Sequence, residues 1–342
     1  MLSMKQLAEI CGYSRVTVSA ALHGKPGVSD KVRDEILRIA EENNYTPNKM
    51  ASSLKGEKSF LIGMLVRDIT NPFYTQMIKV IDEVVSAAGY SLLLLNTNED
   101  PERETKAVKT FYSYYIDGLL LAPFMHKDNS YKLLDNFITQ NVPVIMLDRL
   151  SDDSKLGYVG FNNFQGAYDA TKHLFDQGHE NISYLAGPSI SISSRERGDG
   201  YWNCLAEQNI PLDQRHIVSC GSSSEDGYKT ALNLLKDKAT RPSALLCFND
   251  LVAIGVYRAA QELNLRIPED ISIIGFDNID LTGILAPPLT SVSLNIDQVA
   301  KEAAENLLNC IENKVSPTSF QKIYEPALIK RKSVSQHKET TL

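Results

Sequence analysis

No apolar run in the chain approaches the ~18 residues that a membrane-crossing helix needs. The opening "MLSMKQLAEI" lacks the charged-then-apolar order of a secretory signal, so a cytoplasmic protein that neither enters nor crosses a membrane is expected. The five cysteines (Cys11, Cys204, Cys220, Cys247, Cys310) are odd in number and widely spaced, without a C-x-x-C pair. That pattern encodes neither a disulfide framework nor a zinc cluster, and reduced, mostly buried thiols follow. The six histidines form no H-E-x-x-H, and there is no P-loop or nucleophile elbow. Neither a metal nor a cofactor is therefore expected. The last ten residues, "SVSQHKETTL", hold one leucine and no apolar periodicity, so residues 333–342 are expected to be disordered.

What is present is a chain of 342 residues, too long for one core, so two or three folding units are expected. The net charge of −7 argues against nucleic acid until it is divided. Residues 1–56 carry eight Lys and Arg against six Asp and Glu, and the remainder carries 27 against 36. A positive head on an acidic body can approach phosphates while the body is repelled, which orients the molecule.

From about residue 60 one pattern repeats, a short apolar run followed by an amphipathic segment. The runs are "FLIGMLV", "YSLLLL", "GLLLA", "VPVIML", "ISYLAG", "SALLCF" and "ISIIGF". Apolar runs without alternation suit strands buried on both faces of a parallel sheet. The intervening Pro72–Ala88, Glu102–Tyr115, Asn163–Gln177, Asp226–Lys236 and Asp250–Leu263 have helical spacing. This is βαβ winding, an α/β class, and the polar shift at "GYVGFNNFQG" marks a boundary between two lobes near Phe161.

The first 46 residues differ, with three short helices and no strand. "MKQLAEIC" ends at Gly12, "RVTVSAAL" follows the N-cap Ser14, and "DKVRDEILRIAEENN" follows the N-cap Ser29. Ala8, Val18, Leu22, Val32, Ile36 and Ile39 or Ala40 can close a small core. Helix, Gly-containing turn, helix is helix-turn-helix geometry, whose second helix enters the DNA major groove. The next segment, "TPNKMASSLKG", has a helical stretch of only eight residues, Asn48–Lys55, between Pro47 and Gly56. An isolated helix shorter than about 12–15 residues is marginal in water, so a partner outside the chain must hold it.

The order "MKQLAEICGYSRVTVSAALHGKPGVSDKVRDEILRIAEENNYTPNKMASSLKG", then "IGMLVRDITNPFY", strongly resembles the LacI/GalR family of bacterial transcription regulators. The similarity covers about residues 3–332, and "GHENISYLAG", "FNDLVAIGVYRAAQELNLRIPEDISIIGFDN" and "PPLTSV" resemble the family's effector-binding core. The resemblance implies a head over 1–46, a hinge helix and linker over 47–58, and a two-lobed core like periplasmic sugar-binding proteins. The core's N-terminal lobe would be 59–160 plus 292–323, and its C-terminal lobe 161–291 plus 324–332. It also implies that two hinge helices pair in the minor groove at the operator centre, with Asn48 and Ala51 in the contact and Leu54 wedged into a base step, a known way of bending DNA.

For the reading helix, Ser14, Thr17 and Ser19 suit phosphate contacts, while Arg15, Val16 and Ala20 match the family positions that face base edges. Arg15 suits guanine O6/N7, and Val16 or Ala20 a thymine methyl. Many members have Arg where this chain has Ala20, so the preferred operator sequence stays open. The partner implied is near-palindromic double-stranded operator DNA bound by a homodimer. Tetrameric relatives append a leucine heptad that "SVSQHKETTL" lacks. The dimer surface is expected on the core lobes, including the helices from Pro72 and Asp226.

The effector cleft can be placed physically, because polar residues follow the apolar runs: Asp68 with "NPFY", Asn96, Asp148 with Arg149, Asn249 with Asp250, and Asp277. In wound α/β sheets ligands bind beyond the carboxyl ends of strands. By resemblance, Phe73 and Tyr74 stack on or flank the ligand, and Ser193, Arg197, Asn249 and Asp277 make polar contacts with it. Aromatic faces with amide, carboxylate and guanidinium suit a sugar or sugar phosphate. The implied function is an effector-controlled repressor of a carbohydrate operon. The alternatives are a regulator that takes a purine or protein co-repressor, a glycosidase using Asp68, Asp148, Asp250 and Asp277, and a transport-type binding protein. Asp277 and Asn249 as capping residues, Phe73 or Val16 as core, and Arg149 as an inter-lobe ion pair are the structural readings to set beside these.

Overall fold

The computed structural model describes residues 2–45, 58–122, 129–147, 156–210 and 216–337. Asn48, Ala51 and Leu54 of the hinge, and Asp148 and Arg149 of the cleft, lie outside the described residues. The chain divides into two compact units, Met1–Ser59 and Phe60–Leu342.

In the first unit α1 (Met4–Cys11) begins with a reciprocal cap, in which Ser3 Oγ accepts from Gln6 N and Gln6 Oε1 accepts from Ser3 N. It ends at Gly12 with φ 71°, the left-handed conformation that a residue without Cβ adopts at no steric cost. Ser14 caps α2 (Arg15–Leu22), and Ser29 precedes α3 (Asp30–Glu42). Leu7, Ala8, Cys11, Val18, Ala21, Ile36 and Ala40 form the buried core, with Leu22, Val32 and Ile39 packed half-buried around it.

The second unit holds two six-stranded sheets. The first has the order β11-β5-β4-β3-β1-β2, all parallel, from β1 (Leu61–Val66), β2 (Ser91–Asn96), β3 (Gly118–Leu121), β4 (Val144–Leu147), β5 (Gly157–Phe161) and β11 (Gln321–Tyr324). Helices α4 (Pro72–Ala87) and α11 (Ile296–Asn313) pack with Ile62, Met64 and Val66, while α5 (Pro101–Ser113) and α6 (Asn129–Thr139) belong with Leu65. Burial of β1 on both faces is the reason its sequence does not alternate.

The second sheet has the order β12-β10-β9-β8-β6-β7, from β6 (Ile182–Ala186), β7 (Ile217–Ser219), β8 (Ala244–Cys247), β9 (Ser272–Asp277), β10 (Thr290–Ser293) and β12 (Ala327–Ile329), with β12 antiparallel to β10. Tyr184 packs with α7 (Asn163–Asp176) and α8 (Ile192–Glu207), and Leu185 with α9 (Ser224–Leu235) and α10 (Asp250–Glu262). The five cysteines are unbonded, with four buried and Cys220 half-buried.

The chain crosses between the sheets three times: at Asn162 after β5, at Leu294 and Asn295 after β10, and at Glu325 and Pro326 between β11 and β12. Asn162 Nδ2 donates to both Glu325 carboxylate oxygens at 3.1 Å, which ties the first crossing to the third. Two expectations are corrected here. The lobes exchange at residues 162 and 294 rather than 161 and 292, because Phe161 ends β5 of the first sheet and β10 pairs with β9 and β12, and β11 carries the N-terminal lobe on to Tyr324.

The expected disorder from residue 333 does not hold through 337. Ser333 is fully buried, its hydroxyl donating to Ile273 O at 2.6 Å and accepting from Thr290 N at 2.8 Å. His337 N donates to Gln177 O, and its ring stacks 5.1 Å from that of His179. This segment is held by hydrogen bonds to strands β9 and β10 and to the end of α7, an attachment that apolar periodicity does not register.

Candidate functional site

In the head, α2 turns Val18 and Ala21 inward, which leaves Arg15, Val16, Ser19 and Ala20 on the other side at helical spacing. Val16 is 80% exposed, so it is not a core residue. Ser14 and Thr17 also bond to each other, with Ser14 Oγ accepting from Thr17 N at 3.1 Å and lying 2.9 Å from Thr17 Oγ1, which engages only one of the two hydroxyl protons.

In the core, the carboxyl ends of both sheets face one cleft. From the N-terminal lobe come Arg67 and Asp68 beyond β1, Asn71, Phe73 and Tyr74 at the start of α4, Glu99 beyond β2, and Phe161 ending β5. The other lobe supplies Ser193 and Arg197 of α8, Ser222 before α9, Phe248 and Asn249 beyond β8, and Asp277 ending β9.

Arg197 anchors the C-terminal wall. Its Nε donates to Asn163 Oδ1 at 3.0 Å, its Nη1 to Phe248 O, and its Nη2 lies 3.7 Å from Asp277 Oδ1. The guanidinium lies 3.7 Å over the Phe276 ring and 4.9 Å from that of Phe248, so an arginine buried against aromatic faces keeps its planar fork fixed. Burial pushes the Asp277 carboxyl up to about 7, against the opposing pull of Arg197 and then Arg67. Asp277 also has φ 105°, a conformation rare for a residue with Cβ.

Asp250 stands behind this wall rather than in it. It is fully buried, with Oδ2 accepting from Ile279 N at 2.9 Å and Oδ1 from Ser291 Oγ at 2.7 Å. Gly275 admits it, since a Cβ there would come 2.1 Å from Asp250 Oδ1. Burial, and then the nearby Asp277, raises its pKa well above the carboxylate range. Asp250 therefore supports the turn after β9 and cannot be one of a pair of glycosidase carboxylates in the cleft.

Asn249 is a cap as well as a cleft residue: its Oδ1 accepts from Val252 N and its Nδ2 donates to Ser222 O. Asp68 closes a turn by accepting from Thr70 N and Oγ1. Phe73 is half-buried, its ring edge-on to Tyr74 at 5.0 Å and to Phe161 at 6.0 Å, and Tyr74 is buried in the core. Ser193 Oγ lies 2.9 Å from Ser191 Oγ.

The cleft brings together Asp68, Phe73, Tyr74, Ser193, Arg197, Asn249 and Asp277, each expected there from the sequence. Asn71, the first residue of "NPFY", lies there too, and the cleft also has Arg67, Glu99, Phe161, Ser222 and Phe248, which sequence reasoning missed. Arg67 directly precedes Asp68, and Phe248 directly precedes Asn249. Phe161 sat in the stretch read only as a boundary, although it ends a strand.

Residues 3–48 match the family model described as bacterial regulatory proteins, lacI family, and residues 59–333 match that of periplasmic binding proteins and the sugar binding domain of the LacI family. The chain is 31% identical to the transcriptional repressor PurR of Mannheimia succiniciproducens, over 98% of this chain and 99% of the relative. Among solved structures, the lac repressor dimer bound to operator and the anti-inducer ONPF is 27% identical with a TM-score of 0.83, covering 97% of this chain and 99% of that one. A transcriptional regulator from Enterococcus faecium with bound ribose is 28% identical with a TM-score of 0.72, covering 81% and 100%.

Proposed function

The chain belongs to the LacI family of bacterial regulatory proteins, and on that premise we propose that it is a homodimeric repressor whose grip on operator DNA is set by a small sugar held between the core lobes. The observation that carries this is the meeting, beyond the carboxyl ends of two parallel sheets, of Phe73 from one lobe with Arg197, Asn249 and Asp277 from the other. A ring face for C–H surface beside amide, carboxylate and guanidinium groups is what a polyhydroxylated ligand needs. The ribose-bound relative supports the sugar, and the operator-bound dimer supports the DNA partner.

Among the described residues the cleft carries three carboxylates, Asp68, Glu99 and Asp277, against two guanidinium groups, Arg67 and Arg197. Arg197 already serves Asn163, Phe248 O and Asp277. This balance favours an uncharged sugar over a sugar phosphate. Asp148 and Arg149 complete the proposed effector set.

On the DNA side, Arg15, Val16 and Ala20 read base edges, Ser14, Thr17 and Ser19 set register on phosphates, and Asn48, Ala51 and Leu54 enter the minor groove as a paired hinge. No catalysis is proposed, and the relatives named above are regulators. The 31% identity to PurR supports a second reading, a purine co-repressor. Retention of operator DNA on a gel decides between the two: release by a sugar supports the first, tightening by a purine base supports the second, and no retention at all overturns both.

A further inference from the structure

The loop after β2 carries two consecutive residues other than glycine in the left-handed region, Asn98 with φ 51° and Glu99 with φ 58°. Asparagine tolerates that conformation, but glutamate rarely adopts it, and such outliers persist only where their surroundings hold them. Here the surroundings do. Thr97 is fully buried, with its Oγ1 donating to Arg67 O and accepting from Glu99 N. Glu99 N also donates to Arg67 O at 3.2 Å, and Asp100 then caps α5 through Glu102 N and Arg103 N.

The result of this turn is the direction of the Glu99 side chain. It leaves the N-terminal lobe, enters the cleft and accepts a hydrogen bond from Ser222 Oγ of the C-terminal lobe at 3.0 Å. Burial raises the carboxyl's pKa, with the Ser222 hydroxyl and then Arg67 opposing the rise. A second contact crosses the cleft between Arg67 Nη1 and Ser191 Oγ, but at 3.5 Å it is the weaker one. The neighbouring helix caps are made by Asp100, Ser223 and Asn249, so the Glu99 and Ser222 side chains are not capping groups.

We propose that Glu99 and Ser222 form a latch between the lobes, which makes Glu99 a positioning residue for the ligand that the cleft takes. The pair adds to the closed arrangement before any ligand arrives, so a ligand that is held in the closed form binds with less of the closing cost left to meet. Its relevance to the effector rests on the function proposed above. The latch itself concerns only the two lobes.

Hydrogen exchange on the full-length protein, without added ligand, tests it. In Ser222→Ala, which removes a single hydroxyl, amides of residues 67–74 and 191–197, the facing walls of the cleft, exchange severalfold faster than in the wild type. Glu99→Ala does the same, the double variant goes no further than either single one, and Glu99→Gln, which keeps an acceptor for Ser222, behaves as the wild type. Unchanged exchange at both walls in Ser222→Ala and Glu99→Ala overturns the latch, as does a double variant in which the two effects simply add. D-ribose in the operator-retention experiment separates the two proposals: a latch without any sugar response sinks the sugar effector alone, and a ribose response with unchanged exchange sinks the latch alone.

Discussion

The guanidinium of Arg197 lies 3.7 Å above the ring of Phe276, one residue before the carboxylate that the same guanidinium faces at 3.7 Å. Strand β9 thus supplies an apolar platform and a charge partner in succession. Arg197→Ala would leave Asp277 buried without its main opposing charge, so it is expected to lower stability by about 3 kcal/mol and to abolish the effector response while operator binding persists. Arg197→Lys is not a rescue, since a point charge cannot reproduce the fork shared among Asn163, Phe248 O and Asp277. Thermal melts and gel retention with the effector check both outcomes.

Asp277 also gives a pH dependence with a definite sign. An unfolded aspartate titrates near 3.8 and the folded one near 7, so between these values the native state holds more protons than the unfolded chain. Stability from this group is present at low pH and is lost as pH rises towards 7. The melting temperature of Asp277→Asn relative to the wild type should therefore climb by a few degrees from pH 5 to pH 8. A flat difference over that range would place the group's titration elsewhere.

On the reading helix, neighbouring valines two residues apart should behave oppositely. Val16 is 80% exposed and Val18 fully buried. Val16→Ser is expected to leave the melting of the head unchanged and to alter operator preference, whereas Val18→Ser unfolds the head. Arg15→Ala should relax discrimination at one position of each half-site by about 1–3 kcal/mol, measured by binding to operators varied at single bases. An equal loss on all sequences would make Arg15 a phosphate contact.

Ser333 looks dispensable in the sequence and is not. Ser333→Ala removes the hydroxyl that serves Ile273 O and Thr290 N, leaving two buried backbone groups without that partner. The expected cost is about 1–3 kcal/mol, read as a lower melting temperature. A variant that melts with the wild type would show that water replaces the hydroxyl.

The parts of the fold legible in the sequence are those whose burial is apolar on both sides. Strands β1 to β4, β6, β8 and β9 announce themselves as unbroken apolar runs. Helix α8 does not, because it is buried through Ser193, Ser194, Arg197, Gly198, Gly200 and Tyr201, a polar and small-residue face that mimics a loop. Gly200 explains part of this: a Cβ there would stand 2.1 Å from Phe164 O, so α7 and α8 approach backbone to backbone. Strands β7, β11 and β12 are edge strands in which no residue is fully buried, so they carry no apolar run like that of the equally short β3, β4 and β8. In the site, residues placed directly after long apolar runs were legible. Glu99 was not, since its entry into the cleft depends on a positive φ at Glu99 itself, which asparagine at 98 is suited to but glutamate does not advertise.

The three crossings between the sheets bear on how the protein is made. The outermost strands at the exchanging edges, β11 and β12, come from residues 321–329, after nearly all of both sheets has been synthesised. The first sheet is complete only at residue 324 and the second only at residue 329, and a chain released before residue 321 lacks an edge strand on both sheets at once. A regulator terminated before residue 321 therefore yields no half-molecule with one intact lobe.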